Sequence, residues 1–283
     1  MTTLVCFHAH PDDECISTGG VMVRAAAAGI RVVLVVATRG ERGEPTPGVL
    51  ADGEPLWERR ISESYASAKI LGVQRVEFLG YVDSGMMGEP SNDSPYSFWT
   101  ADVDAAAGRL ASILREEDAQ ILTIYDNNGG YGHPDHIMVH RVGLRAAEMA
   151  GTPRVFETTM NRDHFRRMLA QFTEAGKVPP ALEAALEVAE DETSTGAEEE
   201  FVGSLDEFGK AEAEITHAIN VADLVDMKRQ AMMAHRSQIA DDSWFLTMEP
   251  ESFEQAFGTE WFIESGKLRA EGAPFLDALW NQE

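Results

Sequence analysis

The 283-residue chain reads as an α/β protein: a Rossmann-like, doubly wound, mainly parallel sheet with an elaborated C-terminal half. Three observations predict this. Apolar, β-branched runs alternate with amphipathic helical stretches through residue 150. The clearest run, residues 31–37 (RVVLVVA), is apolar without alternation, as in a strand buried on both faces. Two polar, His-containing motifs each follow a strand-like run, on the sheet edge where such folds collect ligands.

The elements follow in order. Residues 3–8 (TLVCFH) read as a buried strand. Residues 17–28 read as a helix, with Ser17 or Thr18 as cap and Gly29 as stop. After the strand at 31–37, residues 38–55 are rich in Gly, Pro and charge and read as a loop. Residues 56–71 form an amphipathic helix closed by Gly72, and 75–79 a third strand. A long loop, 80–100, leads to a helix at 101–116, a fourth strand at 120–125, and a helix over 136–150. Beyond residue 160 the pattern blurs. Residues 161–175 read as a helix capped by Asn161. Residues 181–200 are acidic and Ala-rich, and 190–200 read as a solvated, mobile connection. Residues 214–220 read as a strand and 222–235 as a helix. The last forty residues carry Trp244, Trp261 and Trp280 and are expected to wrap back over the core. With no repeat and no strong linker, residues 1–283 read as one domain: a core at 1–160 and an elaboration at 161–283.

The net charge of −25 argues against nucleic acid and anionic membranes as partners, because phosphate binding requires basic surface. Cys6 lies in the first strand and reads as a core residue. Cys15 adjoins the first motif, where packing competes with a role as a softer ligand. Two cysteines so placed give no disulfide framework, which fits a reducing compartment. There is no signal-peptide pattern and no apolar run near the ~20 residues that span a bilayer. The expected location is therefore cytoplasmic.

The chemistry lies in His10-Pro11-Asp12-Asp13-Glu14 and His133-Pro134-Asp135-His136. If their strands are neighbours, one pocket receives imidazoles and carboxylates from both loops. Such a set holds zinc with few ligands and leaves a position for water. His10 and one aspartate on a tight turn can grip the metal, with His136 as third ligand. The other aspartate can then serve as base toward the water. His133 can share the pocket as acid or electrostatic stabiliser. Tyr131, in a Gly-rich loop, can bring a phenol to an oxyanion. Each motif alone could be a turn or a helix cap; both together, each after a strand, point to a site. His8 reads as a satisfied core histidine.

At these residues the chain resembles the LmbE/PIG-L family of zinc-dependent N-deacetylases, which includes the deacetylase and amidase of mycothiol metabolism. The resemblance rests on Ala9–Glu14, Thr38–Glu44, Arg60 with Glu63, Leu71–Val73, Asp83–Met86, Tyr125–His136 and Ala234–Gln238, in the family's order. It implies that His10, Asp13 and His136 bind Zn2+ (Fe2+ suits the same donors) and that Asp12 is the general base. It further implies that His133 and Tyr131 assist at the reacting carbonyl and that Arg60 and Asp83 bind sugar hydroxyls. Arg60 could instead form a surface ion pair with Glu63, and Asp83 could be a turn residue. In the family the C-terminal half shapes the substrate pocket. The expected substrate is a small-molecule amide on an N-acylated amino sugar or related metabolite, with room for a homo-oligomer. A mycothiol-conjugate amidase, a natural-product tailoring deacetylase, and a non-catalytic metal- or nucleotide-binding module are the alternatives.

Overall fold

Seven strands form one sheet in the order β3-β2-β1-β4-β5-β7-β6 in a computed structural model of the protein, which describes residues 2–175 and 208–280. β1 (Thr3–His8), β2 (Arg31–Thr38), β3 (Arg75–Tyr81), β4 (Ile121–Tyr125) and β5 (Arg154–Thr159) are mutually parallel. β6 (His217–Asn220) and β7 (Thr259–Glu264) close the far side as antiparallel strands. The sheet is therefore mainly parallel, as expected.

β1 and β2 are buried along almost their whole length. Alternate residues face opposite layers, as a pleated strand requires. Leu4, Cys6, Val32 and Leu34 join one core with Val21, Met22 and Leu71. Val5, Phe7, Val33 and Val35 join the other with Leu110, Val139 and Val142. Helices α3 (Leu56–Leu71), α4 (Val103–Glu116) and α5 (Pro134–Ala150) fall where the apolar periodicity puts them. Gly72 and Gly151 end α3 and α5 in the left-handed conformation.

The helix expected at 17–28 is two helices. α1 (Asp13–Ser17) begins inside the first motif, and α2 (Gly19–Ala27) follows a break at Thr18. The break is held by the Thr18 hydroxyl, which bonds His8 Nε2 at 2.8 Å. α6 (Arg162–Ala175) is capped by Asn161, whose Oδ1 accepts from the His164 amide at 2.9 Å. The expected 222–235 helix is a short 3-10 turn, Ala222–Leu224, followed by α7 (Val225–Ala234). Short helices α8 (Trp244–Thr247) and α9 (Pro250–Phe257) precede β7.

β5 and β7 have no counterpart in the sequence reading. Trp244 and Trp280 pack on the first core, while Trp261 lies in β7. The acidic stretch at 181–200 lies outside the described residues. Among those described, no helix is long and apolar enough to cross a membrane.

The strand order reverses between β1 and β4, which pair directly, with Cys6 opposite Thr123. The crevice beyond their carboxyl ends is where this topology binds ligands. Both motif loops leave the sheet there.

Candidate active site

The turn after β1 is tied by its own side chains. The His10 amide donates to Asp13 Oδ2 at 2.7 Å, closing the loop as α1 starts. Asp12, just before α1, sits at φ 102°, a left-handed conformation that costs a non-glycine residue roughly 1–3 kcal/mol. Such strain persists only where surroundings enforce it. The second motif opens α5: Pro134 is its first residue, and His133 caps it by accepting the Asp135 amide on Nδ1 at 3.1 Å. That bond leaves Nε2 of the neutral His133 ring as an N–H donor.

β1–β4 pairing brings the loops together. His10, His133 and His136 each place a ring nitrogen within 4.8 Å of the others'. Asp13 lies between two of them, 3.5 Å from His10 Nδ1 and 3.5 Å from His136 Nε2. His136 Nδ1 is 3.1 Å from the Gly129 carbonyl and donates to it, which turns the Nε2 lone pair inward. That buried Nε2 has no hydrogen-bond partner. An orphaned imidazole nitrogen facing a carboxylate fits a divalent metal, and His10 Nδ1, Asp13 and His136 Nε2 are the donors that could hold it. The remaining nitrogen of His10, Nε2, lies 3.1 Å from Asp135 Oδ2 and 3.6 Å from Asp83 Oδ1. Outer carboxylates of this kind fix the orientation of a ligating imidazole.

Electrostatics separate the two adjacent aspartates. Burial pushes the Asp12 carboxyl up to about 6 against the pull of Arg60, and Asp13 adds to the rise. Burial also acts on Asp13, which is largely enclosed, but His136 and His10 outweigh it and hold the carboxyl well below the usual carboxylate range. One is thus a permanent anion and the other a carboxylate poised near neutrality. Burial, with His10 and His136 nearby, pushes His133 far below its ordinary value. Burial and the charge of Asp13 push the Tyr131 phenol up, so it stays a donor.

An open cavity of about 250 Å³ joins these groups; His10, Asp12, Asp13, Arg60, Asp83, Tyr131 and His133 all line it. Arg60 is buried. Its guanidinium donates to the Pro11 carbonyl at 2.6 Å and the Gly40 carbonyl at 2.8 Å, and lies 3.3 Å from Asp12 Oδ2. No surface ion pair with Glu63 forms, because Glu63 accepts from the Ser237 amide and hydroxyl. Asp83 reaches the cavity and also holds a turn, accepting the Gly85 amide at 2.8 Å. His8 is a satisfied core histidine between the Tyr125 hydroxyl and Thr18. Cys15 donates its thiol to the Asp12 carbonyl at 2.9 Å, and burial and Glu14 hold that thiol well above its ordinary value.

Several neighbours escaped the sequence reading. Asp135, inside the second motif, accepts the Ser84 amide and hydroxyl besides facing His10. Arg42, Glu89 and Gln238 line the cavity from three separate segments. Asp135 stood inside the second motif, and Arg42 and Gln238 lay within stretches that carry the family resemblance, without a task assigned to them; Glu89 carried no signal.

Comparison with known proteins places the chain in a family. The PIG-L family model, described as GlcNAc-PI de-N-acetylase, matches residues 5–147. The chain is 40% identical over 288 residues to the 1D-myo-inositol 2-acetamido-2-deoxy-alpha-D-glucopyranoside deacetylase of Acidothermus cellulolyticus, covering 99% of this chain and 93% of that protein. It is 39% identical over 280 residues to the Streptomyces avermitilis protein of the same name, covering 92% and 90%. The fold is similar to N,N'-diacetylchitobiose deacetylase from Pyrococcus horikoshii, with TM-score 0.56, 22% identity, and 93% and 83% of the two chains covered. It is equally similar to a 4-carboxy-2-hydroxymuconate hydratase from Pseudomonas putida, with TM-score 0.55, 16% identity, and 97% and 100% covered. The fold alone therefore does not choose the reaction. The family match and the full-length likeness at 40% identity establish that this chain belongs to the PIG-L family of GlcNAc-PI de-N-acetylases.

Proposed function

We propose that this protein is a zinc-dependent N-deacetylase that removes acetate from an N-acetylglucosaminyl inositol. The observation that carries the reading is the buried, unpartnered His136 Nε2 facing Asp13, beside a separate carboxylate, Asp12, that lines the same cavity. A site that merely held a metal would need no such second carboxylate. The substrate class rests on relatives about 40% identical over most of their length.

His10, Asp13 and His136 would hold the metal. Zinc suits this donor set, and when bound it polarises the amide carbonyl and makes nearby water more acidic. Asp12 takes a proton from the attacking water, and a new C–O bond forms at the carbonyl carbon. The Tyr131 hydroxyl, held protonated, and the His133 Nε2–H face the developing oxyanion. The C–N bond breaks as the proton carried by Asp12 passes to the departing nitrogen, giving acetate and a free amine. Arg60 steadies Asp12 and the Pro11 and Gly40 carbonyls, and Asp83 offers an acceptor to sugar hydroxyls.

The test is amine release from metal-stripped protein with zinc or iron(II) added back. The panel holds N-acetylglucosaminyl inositol, N-acetylglucosamine, and a bulky thiol-conjugate amide. Metal-dependent turnover that favours the first supports the reading. Turnover of the conjugate alone would move the scissile amide to another substrate. Failure to bind a metal would refute the site.

A further inference from the structure

Behind Asp12, away from the cavity, three side chains from distant parts of the chain meet. Glu14, Ser67 and His235 are all fully buried. Glu14 Oε1 accepts from the Ser67 hydroxyl at 2.5 Å and from His235 Nε2 at 2.6 Å. Its other oxygen, Oε2, accepts the backbone amide of Asp12 at 2.9 Å. Three donors thus converge on one carboxylate, from the residue before α1, from α3 and from the residue after α7. Glu14, Cys15 and His235 also have the spacing of a metal site. Here the carboxylate is occupied by its three donors, and the Cys15 thiol is turned to the Asp12 carbonyl.

This cluster grips the one described non-glycine residue of the site whose backbone is left-handed. Asp12 has its N–H held by Glu14, its carbonyl held by the Cys15 amide and thiol, and its carboxylate beside Arg60. The direction in which the Asp12 carboxylate leaves the backbone is set by that conformation. We infer that Glu14, fixed in turn by His235 and Ser67, is a positioning residue that aims Asp12 into the cavity. The inference rests on the role given to Asp12 above. It also gives His235, some 220 residues away in sequence, a part in the reaction without contact with the substrate.

Glu14→Gln keeps the size of the side chain. It offers one acceptor oxygen where three donors converge, so at least one donor then faces an N–H. The experiment is a double-mutant cycle with Asp12→Asn, read as kcat, KM and metal per chain. Glu14→Gln alone should lower kcat about 100-fold, the scale on which a misaimed group loses its effect, with KM and bound metal within about twofold of wild type. In the Asp12→Asn background the same change should cost less than about twofold, since nothing is left to aim. Equal losses in both backgrounds, or wild-type kcat for Glu14→Gln, would overturn the inference. If Glu14→Gln does not fold, Ser67→Ala removes one donor from the same oxygen and should cost about fivefold, again only when Asp12 is present. The Asp12→Asn single variant reads the base assignment separately: full activity there overturns that assignment whatever the cycle gives.

Discussion

Lys228→Met should destabilise the fold measurably, yet less than Glu260→Gln, although both break the same buried pair. Lys228 Nζ lies 2.6 Å from Glu260 Oε1 and also donates to the carbonyls of Ile16 at 3.1 Å and Phe257 at 3.4 Å. Glu260 accepts two further bonds, from the amides of Gly20 and Val21 in the first turn of α2, each at 2.8 Å. Removing one partner of a buried ion pair costs ~3–5 kcal/mol. After Lys228→Met the carboxylate keeps its two amides, and a helix N-terminus favours an anion by up to ~2 kcal/mol in partly buried geometry. The expected loss is therefore about 2–3 kcal/mol. Glu260→Gln strands an ammonium among carbonyls and turns an amide N–H toward backbone donors, so its cost should reach about 4–5 kcal/mol. Urea unfolding of both variants, with chelator present so that metal binding adds nothing, reads the two values. Equal losses, or a larger one for Lys228→Met, would refute the reasoning that the α2 amides share the load.

Further expectations concern the site. Asp12 must be ionised to act as base, so kcat/KM should fall on the acid side as its carboxyl takes up a proton; burial holds that carboxyl at about 6 without metal, and a bound cation would lower it, so the acid limb should lie at or below about pH 6. Stability moves the other way: the folded state binds that proton more tightly than the unfolded chain, so the group's contribution is greatest at low pH and is lost as pH rises through about 6. A pH–rate profile with no acid limb would contradict the base role, and metal-free stability that does not fall between about pH 4 and 6, relative to Asp12→Asn, would contradict the raised carboxyl. His136→Gln should cut zinc affinity by at least about 10-fold in a chelator competition, because it removes the unpartnered imidazole nitrogen. Unchanged affinity would place the metal elsewhere. Gly40 sits at φ 64°, and an added Cβ would meet the Arg60 guanidinium. Gly40→Ala should therefore lower kcat/KM about 10-fold or more by shifting Arg60 against Asp12, and steady-state kinetics at full metal loading checks it.

The parallel core was legible because β1, β2 and β4 are buried on both faces and spell their burial as mostly apolar runs without alternation. β5 and β7 were not, because their sequences, RVFETT and TEWFIE, mix charge with apolar residues. Arg154 and Glu264 pair with each other across the two strands, so each looks like a surface charge until the other is placed beside it. At the site, residues whose chemistry is their own could be named from the sequence: His10, Asp12, Asp13, His133 and His136. Arg60 and Asp83 came only with the family resemblance. Glu14 was visible in the motif but its task was not, since that task depends on His235 arriving from the other end of the chain. Local spacing carries information about ligands on one turn. It carries none about a partner two hundred residues away.

The place of β7 has a consequence for synthesis. It lies between β5 and β6, so the outer edge of β5 finds its partner only when residues 261–264 have been made. Until then a nascent chain with a complete catalytic half presents an unpaired strand edge at Phe156–Thr159. Such an edge is a template for association with other chains. A ribosome stalled near residue 250, or a protein truncated there, would hold every residue of the metal cluster and still leave that edge uncovered. The edge of β5, covered last, is thus where association during synthesis is expected, rather than the active site.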